Sequence, residues 1–129
     1  MTETKNVKKC PVFVVDDSEF VARLMIKMLD ETGYQVVGHA KNGQDALAKY
    51  RELNPEIVTM DIIMPSMGGI EAISELFKIN HRAKVLVVSA MGHANIVDQA
   101  MKIGAKHYIL KPFQKEDFLK AVDIVRDAA

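Results

Sequence analysis

The sequence predicts an α/β chain: a doubly wound, five-stranded parallel sheet of order 2-1-3-4-5 with helices on both faces. Three observations predict it. Five short apolar runs alternate with five longer segments of helical period, with no internal repeat, low-complexity tract or linker. The runs Val12–Val15 and Val85–Val88 are apolar without alternation, as strands buried on both faces require. The second and fifth runs carry or adjoin Gln35, His39, Lys106 and His107, which places them at the edges and the first, third and fourth at the centre.

The elements follow in order. Val12–Val15 stops at Asp16-Asp17, and Ser18 can cap a helix whose stripe is Val21, Leu24, Met25, Met28 and Leu29, with Gly33 as its stop. Gln35–Ala40 is the second strand, and Asn42-Gly43 is a turn signal. A helix from about Gln44 turns Ala46, Leu47, Tyr50 and Leu53 inward and ends before Pro55. Ile57–Met60 is the third strand and stops at Asp61. After the breaks at Pro65 and Gly68-Gly69, Ile70, Ile73, Leu76 and Phe77 share one side of the third helix. Val85–Val88 ends at Ser89. The fourth helix turns Val97, Ala100 and Met101 inward and closes at Gly104. His107–Leu110 leads to Lys111-Pro112, and the last helix, from about Gln114, carries Phe118, Ala121, Val122 and Val125.

The length of 129 residues suits one domain, and a chain of this size buries roughly two-thirds of its unfolded surface without staples. Residues 1–10 read as a short polar extension and 11–129 as the domain. Seventeen basic residues balance 17 acidic ones, which argues against binding nucleic acid or an anionic membrane by charge. A hydrophobic fraction of 49% excludes disorder. The lone Cys10 permits neither an internal disulfide nor a cysteine metal site and fits a reducing, cytoplasmic compartment; it reads as structural. The run after Lys9 is too short for a signal peptide core or a membrane span.

Ligands of such sheets sit outside the carboxyl ends of the strands. Those ends supply Asp16, Asp17, Asp61, Ser89 and Lys111, so three carboxylates, a hydroxyl and an ammonium share one edge. Adjacent carboxylates repel and raise one another's pKa, and a hard divalent cation removes that cost. Magnesium suits best, because it needs only one or two carboxylates and keeps water and phosphate oxygens. A carboxylate beside Mg²⁺, with Lys and Ser to hold equatorial oxygens, is a phosphoryl-transfer site.

Val14-Val15-Asp16-Asp17, Met60-Asp61-Ile62-Ile63-Met64-Pro65, Val88-Ser89-Ala90 and Lys111-Pro112-Phe113 together resemble the receiver domain of two-component response regulators, whose fold is flavodoxin-like or CheY-like. The chemotaxis regulator CheY is itself a reference example of the 2-1-3-4-5 order. The resemblance runs from about Pro11 to the end and is greatest to stand-alone chemotaxis regulators, with no output domain following. It implies that Asp61 accepts a phosphoryl group from the phosphohistidine of a CheA-like sensor histidine kinase. It implies Mg²⁺, with Mn²⁺ as a substitute, held by Asp17, Asp61 and the backbone carbonyl of Ile63, and by Asp16 largely through water. Lys111 and Ser89 would hold phosphoryl oxygens, Ala90 would leave room for them, and Lys111-Pro112 would be cis. Tyr108 would turn inward as Ser89 moves toward the phosphate, reporting to the fourth helix, fifth strand and fifth helix. Ile96, Ile103 and Tyr108 would then face a partner such as a flagellar motor switch protein, and a phosphatase would reset the state. The resemblance implies no enzyme beyond self-phosphorylation and slow self-dephosphorylation.

The chain departs from the family pattern in places. Gly68 stands where Asp or Asn is common, which weakens the cap of the third helix. Ile63 and Met91 replace polar side chains beside the site, which predicts a long-lived phosphorylated state. Met64, Met67 and Met91 read as core filler, with an adaptable docking rim as the alternative. A phosphorelay intermediate that passes its phosphoryl group to a histidine-phosphotransfer protein is the alternative function. A Mg²⁺-dependent aspartyl phosphatase would need a second Asp where Ile63 stands. A flavin module would need a phosphate loop where Asp16-Asp17-Ser18-Glu19-Phe20 is acidic.

Overall fold

A computed structural model describes residues 9–65 and 67–129. All but Lys9 and Cys10 of the expected extension lies outside the described residues. The strands are β1 (Cys10–Val15), β2 (Tyr34–Ala40), β3 (Ile57–Asp61), β4 (Lys84–Ala90) and β5 (His107–Lys111). The helices are α1 (Glu19–Asp30), α2 (Gly43–Leu53), α3 (Gly69–Ile79), α4 (Ala94–Ile103) and α5 (Lys115–Asp127). All pairings are parallel, in the order β2-β1-β3-β4-β5.

The central strands are buried because they send alternate residues into two separate cores. Phe13, Val15, Val58, Met60, Val85 and Val87 meet Ala46 and Tyr50 of α2, Ala72, Ile73 and Leu76 of α3, and Val97 and Ala100 of α4. Val12, Val14, Ile57, Leu86 and Val88 meet Ala22, Met25 and Leu29 of α1 and Phe118, Ala121, Val122 and Val125 of α5. Both faces are therefore covered, as a doubly wound sheet requires. The edge strands pay less into the cores: β5 alternates half-buried and exposed residues, and Tyr108 and Leu110 stay open.

Two details differ from the sequence reading. Leu24 leaves the α1 stripe and is exposed, and Ala22 is buried with Met25 and Leu29 on the inward face instead. Asn42 is more than a turn residue: its side chain accepts the Asp45 N–H at 2.8 Å and caps α2. Two helix ends also differ: α1 stops at Asp30 with Glu31 rather than Gly33 as its C-cap, and α2 ends on Asn54 at positive φ. Ser18 accepts the Val21 N–H at 3.2 Å, Gly68 gives α3 no side-chain cap, and Gly104 ends α4 at positive φ. The Lys111-Pro112 bond is cis.

Candidate functional site

All five parallel strands end at one edge, and the abrupt change from apolar to polar or charged residues at four of them has a geometric consequence. Asp16 continues β1 by one residue, and its N–H donates to the Ala40 carbonyl at 3.0 Å. Its carboxylate accepts the Ser18 N–H at 2.8 Å through Oδ1. Asp61 ends β3 and accepts the Ile63 N–H through Oδ1 at 3.1 Å. Oxygens of Asp16, Asp17 and Asp61 all lie within 4.8 Å of one another, Asp16 and Asp61 buried and Asp17 exposed.

One cation among the described residues enters this group. Lys111 Nζ lies 3.0 Å from Asp16 Oδ2 and 3.6 Å from Asp61 Oδ2. The buried Asp16 Oδ2 has no polar partner besides this ammonium among the described residues. Thr59 Oγ1, on β3 two residues before Asp61, is unpartnered. Burial pushes the Asp61 carboxyl up to about 6, with Asp16 and Asp17 adding to the rise and the Ile63 N–H and Lys111 opposing it. Like charges about 4 Å apart repel by about 4 kcal/mol at an effective dielectric near 20, so one lysine does not balance three carboxylates. The donor set is all oxygen and carries excess negative charge, two of its three carboxylates being buried with one lysine between them, which fits a hard divalent cation.

The remaining sequence-identified residues fall around this group. Ser89 is buried at the end of β4, and its hydroxyl donates to the Ala90 carbonyl at 3.0 Å. Ile63 and Met91 form an apolar rim, 47% and 75% exposed. Tyr108 is 43% exposed and lines a cavity of ≈ 200 Å³ with Met91, Val97, Asp98 and Leu110. Ile103 is open, whereas Ile96 is half-buried against the core below α4. Met64 and Met67 also pack against that core.

Sequence reasoning missed two contributors. A Cβ on Gly69 would lie 2.4 Å from Ile62 Cα and 2.5 Å from the Asp61 carbonyl oxygen, so only glycine lets α3 start directly against the end of β3. The Gly68-Gly69 pair signals a break but not this contact. His39, on β2, places Nε2 3.0 Å from the Asp16 carbonyl, a contact across 23 residues with no local signature.

Residues 12–123 match the family model described as the response regulator receiver domain. The chain is 47% identical over 114 residues to the chemotaxis protein CheY of Thermotoga maritima, covering 88% of this chain and 95% of that one. It is 44% identical to CheY of Bacillus subtilis over 113 residues, covering 87% and 93%. Among solved structures it is similar to the CheX-CheY-BeF3-Mg²⁺ complex from Borrelia burgdorferi, with TM-score 0.86 and 31% identity over 92% of this chain and 90% of that one. A doubly wound sheet with an acidic cluster at its carboxyl edge, matched by the family model over nearly its whole length, makes this chain a member of the response regulator receiver domain family.

Proposed function

We propose that residues 11–129 act as a phosphorylation-controlled binding module in chemotaxis. The carrying observation is the cluster of Asp16, Asp17 and Asp61 with Lys111 between two of them at the carboxyl edge of the sheet. Asp16, Asp17, Asp61 and the Ile63 carbonyl would hold Mg²⁺, which supplies charge neutralisation for the incoming phosphoryl group. An Asp61 carboxylate oxygen attacks phosphorus, the phosphorus–nitrogen bond of a kinase phosphohistidine breaks, and the imidazole leaves. Lys111 releases its carboxylates to hold a phosphoryl oxygen. Ser89 exchanges its bond to the Ala90 carbonyl for another oxygen, and Tyr108 turns inward. Such a domain catalyses only its own phosphorylation and dephosphorylation.

The similarity to CheY proteins, one of them solved with CheX, BeF3 and Mg²⁺, supports a kinase and a phosphatase as partners. The surface formed by α4, β5 and α5, with Ile96, Ile103 and Tyr108, would carry the output to a motor switch protein. Among the described residues no helix is long and apolar enough to cross a membrane, and the cytoplasm suits the Cys10 thiol.

Intact mass after incubation with acetyl phosphate and Mg²⁺ tests this. One phosphoryl adduct is expected, lost in Asp61→Asn and without metal. Catalytic release of inorganic phosphate would instead favour an aspartyl phosphatase, and onward transfer to a histidine-phosphotransfer protein a relay intermediate. Pull-down with and without beryllofluoride then tests the output partner, with binding expected only in its presence.

A further inference from the structure

Asp16 is held at every polar atom of its backbone and at both carboxylate oxygens, and one of those restraints comes from an unexpected place. Its N–H meets the Ala40 carbonyl at 3.0 Å, Oδ1 accepts from Ser18, and Oδ2 faces Lys111. Its carbonyl lies past the last β1–β2 rung, where the ladder supplies no donor. His39 fills that gap with Nε2 at 3.0 Å, and a carbonyl can only accept, so the imidazole donates. His39 is half-buried, and its main chain is held from the other side, where Lys49 Nζ donates to its carbonyl at 2.9 Å.

Besides the Asp16 N–H bond to Ala40, the Lys41–Glu19 pair at 3.0 Å bridges the start of α1 and the residue after β2, but it is open to solvent on both sides and restrains little. We propose that His39 is a positioning residue for the metal site: it fixes the Asp16 main chain so that the Asp16 and Asp17 carboxylates face Asp61. Partners that orient metal-binding groups without touching the metal typically govern affinity by tenfold or more.

This rests on reading the acidic cluster as a Mg²⁺ site, and the test separates the two. Mg²⁺ affinity is measured by calorimetry for the unmodified chain, His39→Phe and His39→Gln, with the metal-free melting temperature of each. His39→Phe keeps a ring but offers no donor, whereas His39→Gln restores an N–H of similar reach. Mg²⁺ binding on the order of tenfold weaker in His39→Phe and recovered in His39→Gln is the expected result. Unchanged affinity in His39→Phe overturns the assignment, and so does a loss in His39→Gln as large as in His39→Phe. A general structural defect would lower both melting temperatures without that recovery, which also overturns it. No Mg²⁺ binding by the unmodified chain would remove the metal reading beneath it.

Discussion

The two ends of the sheet handle charge in opposite ways. At the amino end, Tyr34 OH donates to Asp123, Arg126 sits 3.5 Å from Asp123 and 2.9 Å from Asp127, and the Arg126 guanidinium lies 5.8 Å over the Tyr34 ring. Lys84 reaches the Arg126 carbonyl, and Lys106 the Ala129 carbonyl. The charges named there each have a partner. At the carboxyl end three carboxylates, two of them buried, meet one lysine. The chain holds α5 in place with the first end and leaves the second in electrostatic conflict. Such conflict is expected where a ligand completes the site.

That contrast predicts unequal responses to substitution. Lys111→Met has the largest effect on stability. It leaves buried Asp16 and Asp61 without their cation, and metal-free stability falls by about 2 kcal/mol in chemical denaturation. This is less than the 3–5 kcal/mol typical of breaking a fully buried pair, because the ammonium is partly solvated. Asp61→Asn acts the other way: it removes a buried charge, and the metal-free chain melts a few degrees higher near neutral pH.

The sign of the pH effect follows from the raised Asp61 carboxyl. Its folded value is about 6, above its ordinary value near 4, so the folded chain binds the proton first. The penalty is full above about 6 and is relieved as pH falls from there toward 4. The thermal gain of Asp61→Asn therefore shrinks when both proteins are melted at about pH 4. Mg²⁺ binding weakens over the same window, because proton and metal compete for the carboxylate.

Once phosphorylated, the site has an apolar rim. Neither Ile63 nor Met91 carries a polar group to aim a water at phosphorus. The adduct therefore persists for minutes or longer without a phosphatase, and loss within seconds in a mass-spectrometric time course contradicts this. The smallest effect belongs to the neutralised end. Tyr34→Phe costs about 1 kcal/mol through its bond to Asp123 and leaves the rate of phosphorylation by acetyl phosphate unchanged. Combined with Lys111→Met its cost adds, since distant sites do not couple.

Much of this contrast was legible in the sequence. Apolar runs that end on Asp16, Asp61, Ser89 and Lys111 define both the sheet and its active edge, because burial and strand direction are written in local patterns. Leu24 lies off the inward face because a stripe of large apolar residues does not fix the helix's rotation about its axis, and small Ala22 is buried in the structure. His39 and Gly69 were missed for a different reason. One acts across strands and the other through backbone approach, and neither leaves a period or a motif. The pairing of Tyr34 with Asp123 spans 89 residues and was equally invisible.

The central claim is that the carboxyl end is unbalanced until a divalent cation neutralises it. Melting the chain near neutral pH with and without Mg²⁺, beside Asp17→Asn and Asp61→Asn, tests it most directly. Mg²⁺ at about 100 times its dissociation constant should stabilise the unmodified chain by about 2.7 kcal/mol, and both variants much less. An absent shift, or one of equal size in all three proteins, would contradict the account.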